Sequence, residues 1–147
     1  MELHQPVEIF LVEDDDGHAL LIEKNLRRAG VTNRIVRFVN GQQVLDRLLA
    51  APHAAGDSAG VSPLVLLDLN LPVVDGYQVL RRLKEDPLTR RIPVVVLTTT
   101  EDPREIDRCY DLGCNVYLSK PVEYDRFCEA IRNLGLFLSV VSVPAAA

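Results

Sequence analysis

Asp68 closes an apolar run, Leu64-Val65-Leu66-Leu67, and is followed by Leu69-Asn70-Leu71-Pro72 and then Asp75-Gly76. A hydrophobic run capped by a carboxylate reads as a buried strand that delivers one acid to its C-terminal edge. The proline and glycine beyond turn the chain away and leave that acid accessible. Comparable endings recur: Glu13-Asp14-Asp15-Asp16 after Val12, Thr98-Thr99-Thr100 after Leu97, and Ser119-Lys120-Pro121 after Leu118. Clustered carboxylates repel one another and raise a pKa, unless a hard divalent ion such as Mg²⁺ takes their oxygens. An ionised aspartate beside such an ion can act as a nucleophile toward phosphorus, giving an aspartyl phosphate. A lysine and a hydroxyl supply the contacts that the phosphoryl oxygens then need.

Taken singly, each residue has an ordinary explanation. An Asp after a strand is commonly a helix cap, and Asp15 and Asp16 suit the positive end of a helix dipole. Thr98 could be a β-branched strand residue, and Lys120 a surface lysine. Four such coincidences at one edge are far less expected than one site.

The elements that must bring these residues together alternate from end to end. Strands are predicted over residues 7–12, 35–39, 64–68, 93–98 and 116–119. Helices are predicted over 19–29, 42–49 and 76–85, from Pro103 to Gly113, and over 122–134, each with apolar residues at helical spacing or a terminal stop signal. Residues 50–63 form a loop that is long for this class. Near-continuous apolar strands alternating with helices predict an α/β fold, a doubly wound parallel sheet of five strands in the flavodoxin-like order 2-1-3-4-5. A closed (β/α)₈ barrel would need about 250 residues and is excluded. In that order the ends of strands one, three, four and five are neighbours.

The chain has 147 residues, 48% hydrophobic and 25% charged, which suits one domain with a full core. A net charge of −5 argues against nucleic acid as a partner. No apolar run is long enough to span a membrane and no signal peptide opens the chain, so the expected location is the cytoplasm. Cys109, Cys114 and Cys128 lack metal or disulfide spacing and read as buried free thiols. The three histidines, His4, His18 and His53, form no cluster.

Val12-Glu13-Asp14, Leu67-Asp68-Leu69-Asn70-Leu71-Pro72, Asp75-Gly76, Leu97-Thr98 and Ser119-Lys120-Pro121 resemble, in order and spacing, the receiver domains of two-component response regulators. The resemblance runs from about Val7 to Leu134. It implies that Asp68 is the phosphoacceptor, Asp14 a direct Mg²⁺ ligand, and Glu13 an acidic neighbour acting mostly through water. It further implies that Asn70 gives the metal its backbone carbonyl and that Thr98 and Lys120 contact the phosphoryl oxygens. Thr98 and Tyr117 would move on activation, although Tyr117 also reads as a plain edge-strand residue. Glu13 replaces the more usual aspartate, and Thr100 with Asn70 would tune dephosphorylation.

The long loop, Lys84-Glu85-Asp86-Pro87, the run from Ile92 to Thr100, and Asn115-Val116-Tyr117 are more narrowly similar to the stand-alone regulators paired with bacterial phytochrome histidine kinases. That likeness implies a sensor histidine kinase as partner, output through protein contacts or onward transfer to a phosphotransfer protein, and no catalytic role. One domain over residues 1–147 is expected, with its core at about 7–134. The apolar tail, 136–147, reads as a homodimer contact or as a helix extension folded back on the core. The alternative function is a Mg²⁺-dependent aspartyl-phosphate phosphohydrolase. Such enzymes place the nucleophile after strand one with a second Asp two residues on, where Asn70 stands here.

Overall fold

The computed structural model describes residues 7–28, 30–49, 62–120, 125–127 and 129. Among the described residues, five strands alternate with four helices: β1 (Val7–Val12), α1 (Asp16–Arg28), β2 (Ile35–Phe38), α2 (Gly41–Leu48), β3 (Ser62–Asp68), α3 (Gly76–Glu85), β4 (Val94–Thr98), α4 (Pro103–Asp111) and β5 (Val116–Ser119). All neighbouring strands are parallel, in the order β2-β1-β3-β4-β5. The expected doubly wound, flavodoxin-like sheet is what forms.

Side chains alternate across the strands, so each strand feeds two layers. One face carries Ile9, Leu11, Leu64, Leu66, Val95 and Leu97 against Ala19, Ile22 and Leu26 of α1, with Phe127 joining them. The other carries Phe10, Val12, Val65, Leu67, Val94 and Val96 against Val44 and Leu45 of α2 and Val79, Leu80 and Leu83 of α3. Leu64 to Leu67 have no exposed surface at all. Burying each such side chain stabilises the fold by roughly 1.5–3 kcal/mol, so β3 is anchored on both faces right up to Asp68.

Local capping sets where the helices start. α1 begins three residues earlier than the apolar spacing predicts, because the Asp15 carboxylate accepts the His18 N–H at 2.9 Å and the Asp15 carbonyl accepts Ala19 N–H at 2.9 Å. Acids at that end complement the helix dipole. Asp75 and Gln78 form a reciprocal capping box that starts α3. Asn40 caps α2 by accepting Gln43 N–H at 2.9 Å. β3 starts two residues before its predicted start, with Pro63 beside Glu8, while β2 and β4 each lose one predicted end residue.

The N-terminal edge of the sheet is closed by a lysine. Lys84 donates to the carbonyls of Arg90 at 3.0 Å and Ile92 at 2.6 Å and to Asn115 Oδ1 at 3.3 Å, while Asn115 Oδ1 also accepts Val94 N–H at 2.8 Å. Burial lowers the Lys84 pKa from its usual value. Cys109 and Cys114 are buried and unpaired, as expected, and burial pushes the Cys114 thiol up to about 12, which keeps it inert. Cys128, most of the predicted fifth helix, most of the 50–63 loop and the 136–147 tail lie outside the described residues. Among the described residues no helix is long and apolar enough to cross a membrane.

Candidate functional site

Three acids converge where the strands end. One oxygen each from Glu13, Asp14 and Asp68 lies within 4.8 Å of the others. Glu13 and Asp68 are buried, at 0% and 4% exposure, whereas Asp14 faces solvent. The ladder holds them there: Glu13 N–H donates to Phe38 O at 3.0 Å, and Asp68 is in register with Leu97 of β4. Lys120 crosses from the end of β5, its Nζ 2.6 Å from Glu13 Oε1 and 3.2 Å from Asp68 Oδ1. Its backbone N–H donates to Thr98 O at 2.9 Å, which fixes the lysine beside the end of β4.

Burial is the main reason that the Asp68 pKa rises from 3.8 to about 6. The Lys120 ammonium opposes that rise, the Glu13 charge adds to it, and the Asn70 backbone N–H opposes it again. Three carboxylates against one ammonium leave an excess of negative charge on hard oxygen donors. The exposure of Asp14 leaves room for retained water. That donor set fits a Mg²⁺-like ion, which combines one or two carboxylates with waters and phosphate oxygens.

The remaining predicted residues stand around this centre. Thr98 is 2% exposed, and its Oγ1 accepts Thr100 N–H at 3.0 Å. Asn70 is exposed, two residues beyond Asp68. Tyr117 is outside the acid cluster: its hydroxyl is 3.3 Å from Thr100 O, as donor, and 3.1 Å from Ser119 Oγ. Thr100 Oγ1 also donates to Glu105 Oε2 at 3.3 Å, and Glu105 Oε1 accepts the Tyr77 hydroxyl at 3.0 Å. Burial first, then the Glu105 carboxylate, pushes Tyr77 up to about 12.

Several features here escape the sequence reading. His18 Nδ1 stands 3.4 Å from Lys120 Nζ and 3.9 Å from Glu13 Oε2. With Leu21, Ile22, Thr99 and Lys120 it lines a cavity of about 270 Å³. Its place in the first turn after strand one was the available signal. Arg37 donates from Nε and Nη2 to Glu13 O at 3.0 and 2.9 Å, a contact across 24 residues with no local signature. Val73, in the loop after Pro72, has φ 69°, a left-handed conformation that a β-branched residue rarely adopts. The turn is closed by Val74 N–H on Pro72 O at 2.8 Å.

Residues 9–132 match the family model of the response regulator receiver domain. A response regulator receiver domain from Rhodospirillum rubrum, solved by crystallography, is 58% identical with a TM-score of 0.72, covering 93% of this chain and 96% of its own. The bacteriophytochrome response regulator AtBRR is 35% identical with a TM-score of 0.79, covering 98% and 99%. Response regulator Rcp1 of Synechocystis is 32% identical over 146 residues, 99% of this chain and 98% of Rcp1. The crystal structure of a Mn²⁺-bound form of Rcp1 has a TM-score of 0.69, at 31% identity over 95% of this chain and 99% of that one.

Proposed function

The chain belongs to the response regulator receiver family, and from that premise we propose that it takes a phosphoryl group from a sensor histidine kinase onto Asp68. The observation that carries this reading is one buried carboxylate with an ammonium 3.2 Å away, at the open edge of a parallel sheet. An Asp68 oxygen forms the new bond to phosphorus as the N–P bond of the donor's phosphoimidazole breaks, and the imidazole leaves with a proton. Lys120 faces the phosphoryl oxygens and neutralises their charge as the group arrives. The Thr98 hydroxyl exchanges its bond to Thr100 N–H for one to the phosphoryl group, and Tyr117, tied to Thr100 O, follows that movement. Glu13, Asp14, Asp68 and the Asn70 carbonyl would hold Mg²⁺, which supplies positive charge to the phosphoryl oxygens and keeps Asp68 ionised. The Mn²⁺-bound form of Rcp1 supports a divalent-ion site.

The kinase of this reading is a phytochrome-type photoreceptor, supported by the likeness to AtBRR over nearly the whole chain. Output runs through protein contacts or by handing the phosphoryl group to a phosphotransfer histidine. Incubation with Mg²⁺ and a small acyl phosphate tests the chemistry. The expected product is one acid-stable, base-labile phosphoryl group per chain. Sustained release of phosphate from phosphomonoesters over many turnovers would show a phosphohydrolase instead.

Lys120→Met gives a second expected outcome. Removing a donor preorganised for the developing charge slows the chemical step by roughly 10² or more. Labelling by the small donor in the Lys120→Met chain falls by that order at saturating Mg²⁺, followed by gel or mass shift. Labelling at the wild-type rate would remove Lys120 from the reaction.

A further inference from the structure

We infer that Arg37 is a positioning residue for the divalent-ion site, a role that rests on the reading above and extends it to β2. Its guanidinium grips the one peptide unit shared by Glu13 and Asp14. Two of its N–H groups converge on Glu13 O at 3.0 and 2.9 Å, and Nη1 reaches Asp16 Oδ1 at 2.7 Å. The N–H of Glu13 is held from the same strand by Phe38 O at 3.0 Å. Both backbone groups of Glu13 are therefore fixed by consecutive residues of β2.

The consequence for the acids follows from peptide geometry. The carbonyl oxygen of Glu13 and the amide nitrogen of Asp14 lie in one rigid plane. Anchoring that oxygen sets the plane, and with it the direction from which the Asp14 side chain departs toward Glu13 and Asp68. Asp14 is itself solvent-exposed, so packing does little to aim it. The contact to Asp16 is the lesser part of the grip. That carboxylate is 91% exposed, and exposed ion pairs contribute little. A lysine could not reproduce the fork, because an ammonium presents no planar pair of donors.

Two effects of Arg37 on a bound cation oppose each other, and their sign separates them. As a nearby positive charge, Arg37 weakens cation binding, so its removal would tighten it. As a support for the ligands, it strengthens binding, and loss of such an outer contact typically weakens affinity 10- to 100-fold. The inference requires the second to win.

Calorimetric titration of the full chain with Mg²⁺ decides it, with urea unfolding to check that each variant is folded. Arg37→Met is expected to bind Mg²⁺ about tenfold more weakly than wild type. Arg37→Lys, which keeps the charge and loses the fork, is expected to bind at least as weakly as Arg37→Met. Asp16→Asn, which leaves the fork on Glu13 O in place, is expected to stay within about threefold of wild type, the scale of a surface ion pair. Equal or tighter binding by Arg37→Met overturns the inference and leaves the proposed function standing. Should Arg37→Met fail to fold, Arg37→Lys decides, and wild-type affinity in that variant overturns it. A wild-type chain that takes up no Mg²⁺ overturns both.

Discussion

Replacing Asp68 by asparagine is expected to abolish labelling by a small acyl phosphate and to make the metal-free protein harder to unfold at neutral pH. The two effects share a cause. In the folded chain burial raises the Asp68 pKa from 3.8 to about 6, so its carboxyl binds a proton more tightly than in the unfolded chain. Folding is then favoured while the proton is on, below about pH 4, and stability drains away as pH rises toward 6. Above pH 6 the full cost of a buried charge beside Glu13 is present. A tenfold difference in proton affinity between the folded and unfolded chain corresponds to about 1.4 kcal/mol. Solvent screening at the mouth of the site and the loss of the Lys120 contact reduce the net gain from asparagine to about 1–2 kcal/mol. Urea titrations should show the Asp68→Asn chain more stable than wild type at pH 7.5 and no more stable at pH 4. Saturating Mg²⁺ should cancel the difference at pH 7.5, because an ion bound only to the folded wild type stabilises it. A variant that is less stable than wild type at pH 7.5 without Mg²⁺ would show that Asp68 is structurally needed, not electrostatically strained.

The second large effect is at Gly76, the first residue of α3. Helix propensity alone predicts that alanine there would help, by up to about 1 kcal/mol. The surroundings reverse that sign. A Cβ at position 76 would stand 2.4 Å from Asp68 O and 2.6 Å from Leu69 Cα, both backbone atoms, while Gly76 N–H donates to Leu69 O at 2.9 Å. Neither neighbour can move without shifting the end of β3. Gly76→Ala should therefore lower stability by about 3 kcal/mol, the upper range for overpacking. It should also slow labelling by roughly tenfold or more, since small displacements of a reacting group are costly. Gly17→Ala is the matched control. There the nearest atom is a side-chain oxygen, Asp15 Oδ1 at 3.2 Å, and a shift of a few tenths of an ångström relieves the contact. If both alanines behave alike in urea and in labelling, the close approach of α3 to the end of β3 is not what holds Asp68 in place.

Much of this site is legible in the chain because its parts sit at the ends of apolar runs. Leu64 to Leu67 must be buried on both faces, so the next polar residue is forced to the sheet edge, and the same logic places Glu13, Thr98 and Lys120. The strand order then follows from the α/β alternation. What escapes is everything that depends on a side chain reaching a distant backbone atom. Arg37 looks like one more strand arginine until its fork is seen on Glu13 O. Lys84 looks like a helix-surface charge, yet it ties Arg90, Ile92 and Asn115 together at the opposite edge. The left-handed Val73 could not be expected, because its residue type argues against that conformation. The earlier start of α1 traces to Asp15 acting as a cap, in keeping with its reading as an acid at a helix start, because a capping side chain leaves no mark on the apolar spacing that set the predicted start.

The most direct measurement is the position of the phosphoryl group itself. After treatment with Mg²⁺ and a small acyl phosphate, borohydride reduces an aspartyl phosphate to homoserine, which peptide mass spectrometry can place. The expected result is a single homoserine at position 68 in the wild-type chain and none in Asp68→Asn. Homoserine at Asp14 or at another acid, or equal labelling of the Asp68→Asn chain, would contradict the assignment of Asp68 as the acceptor.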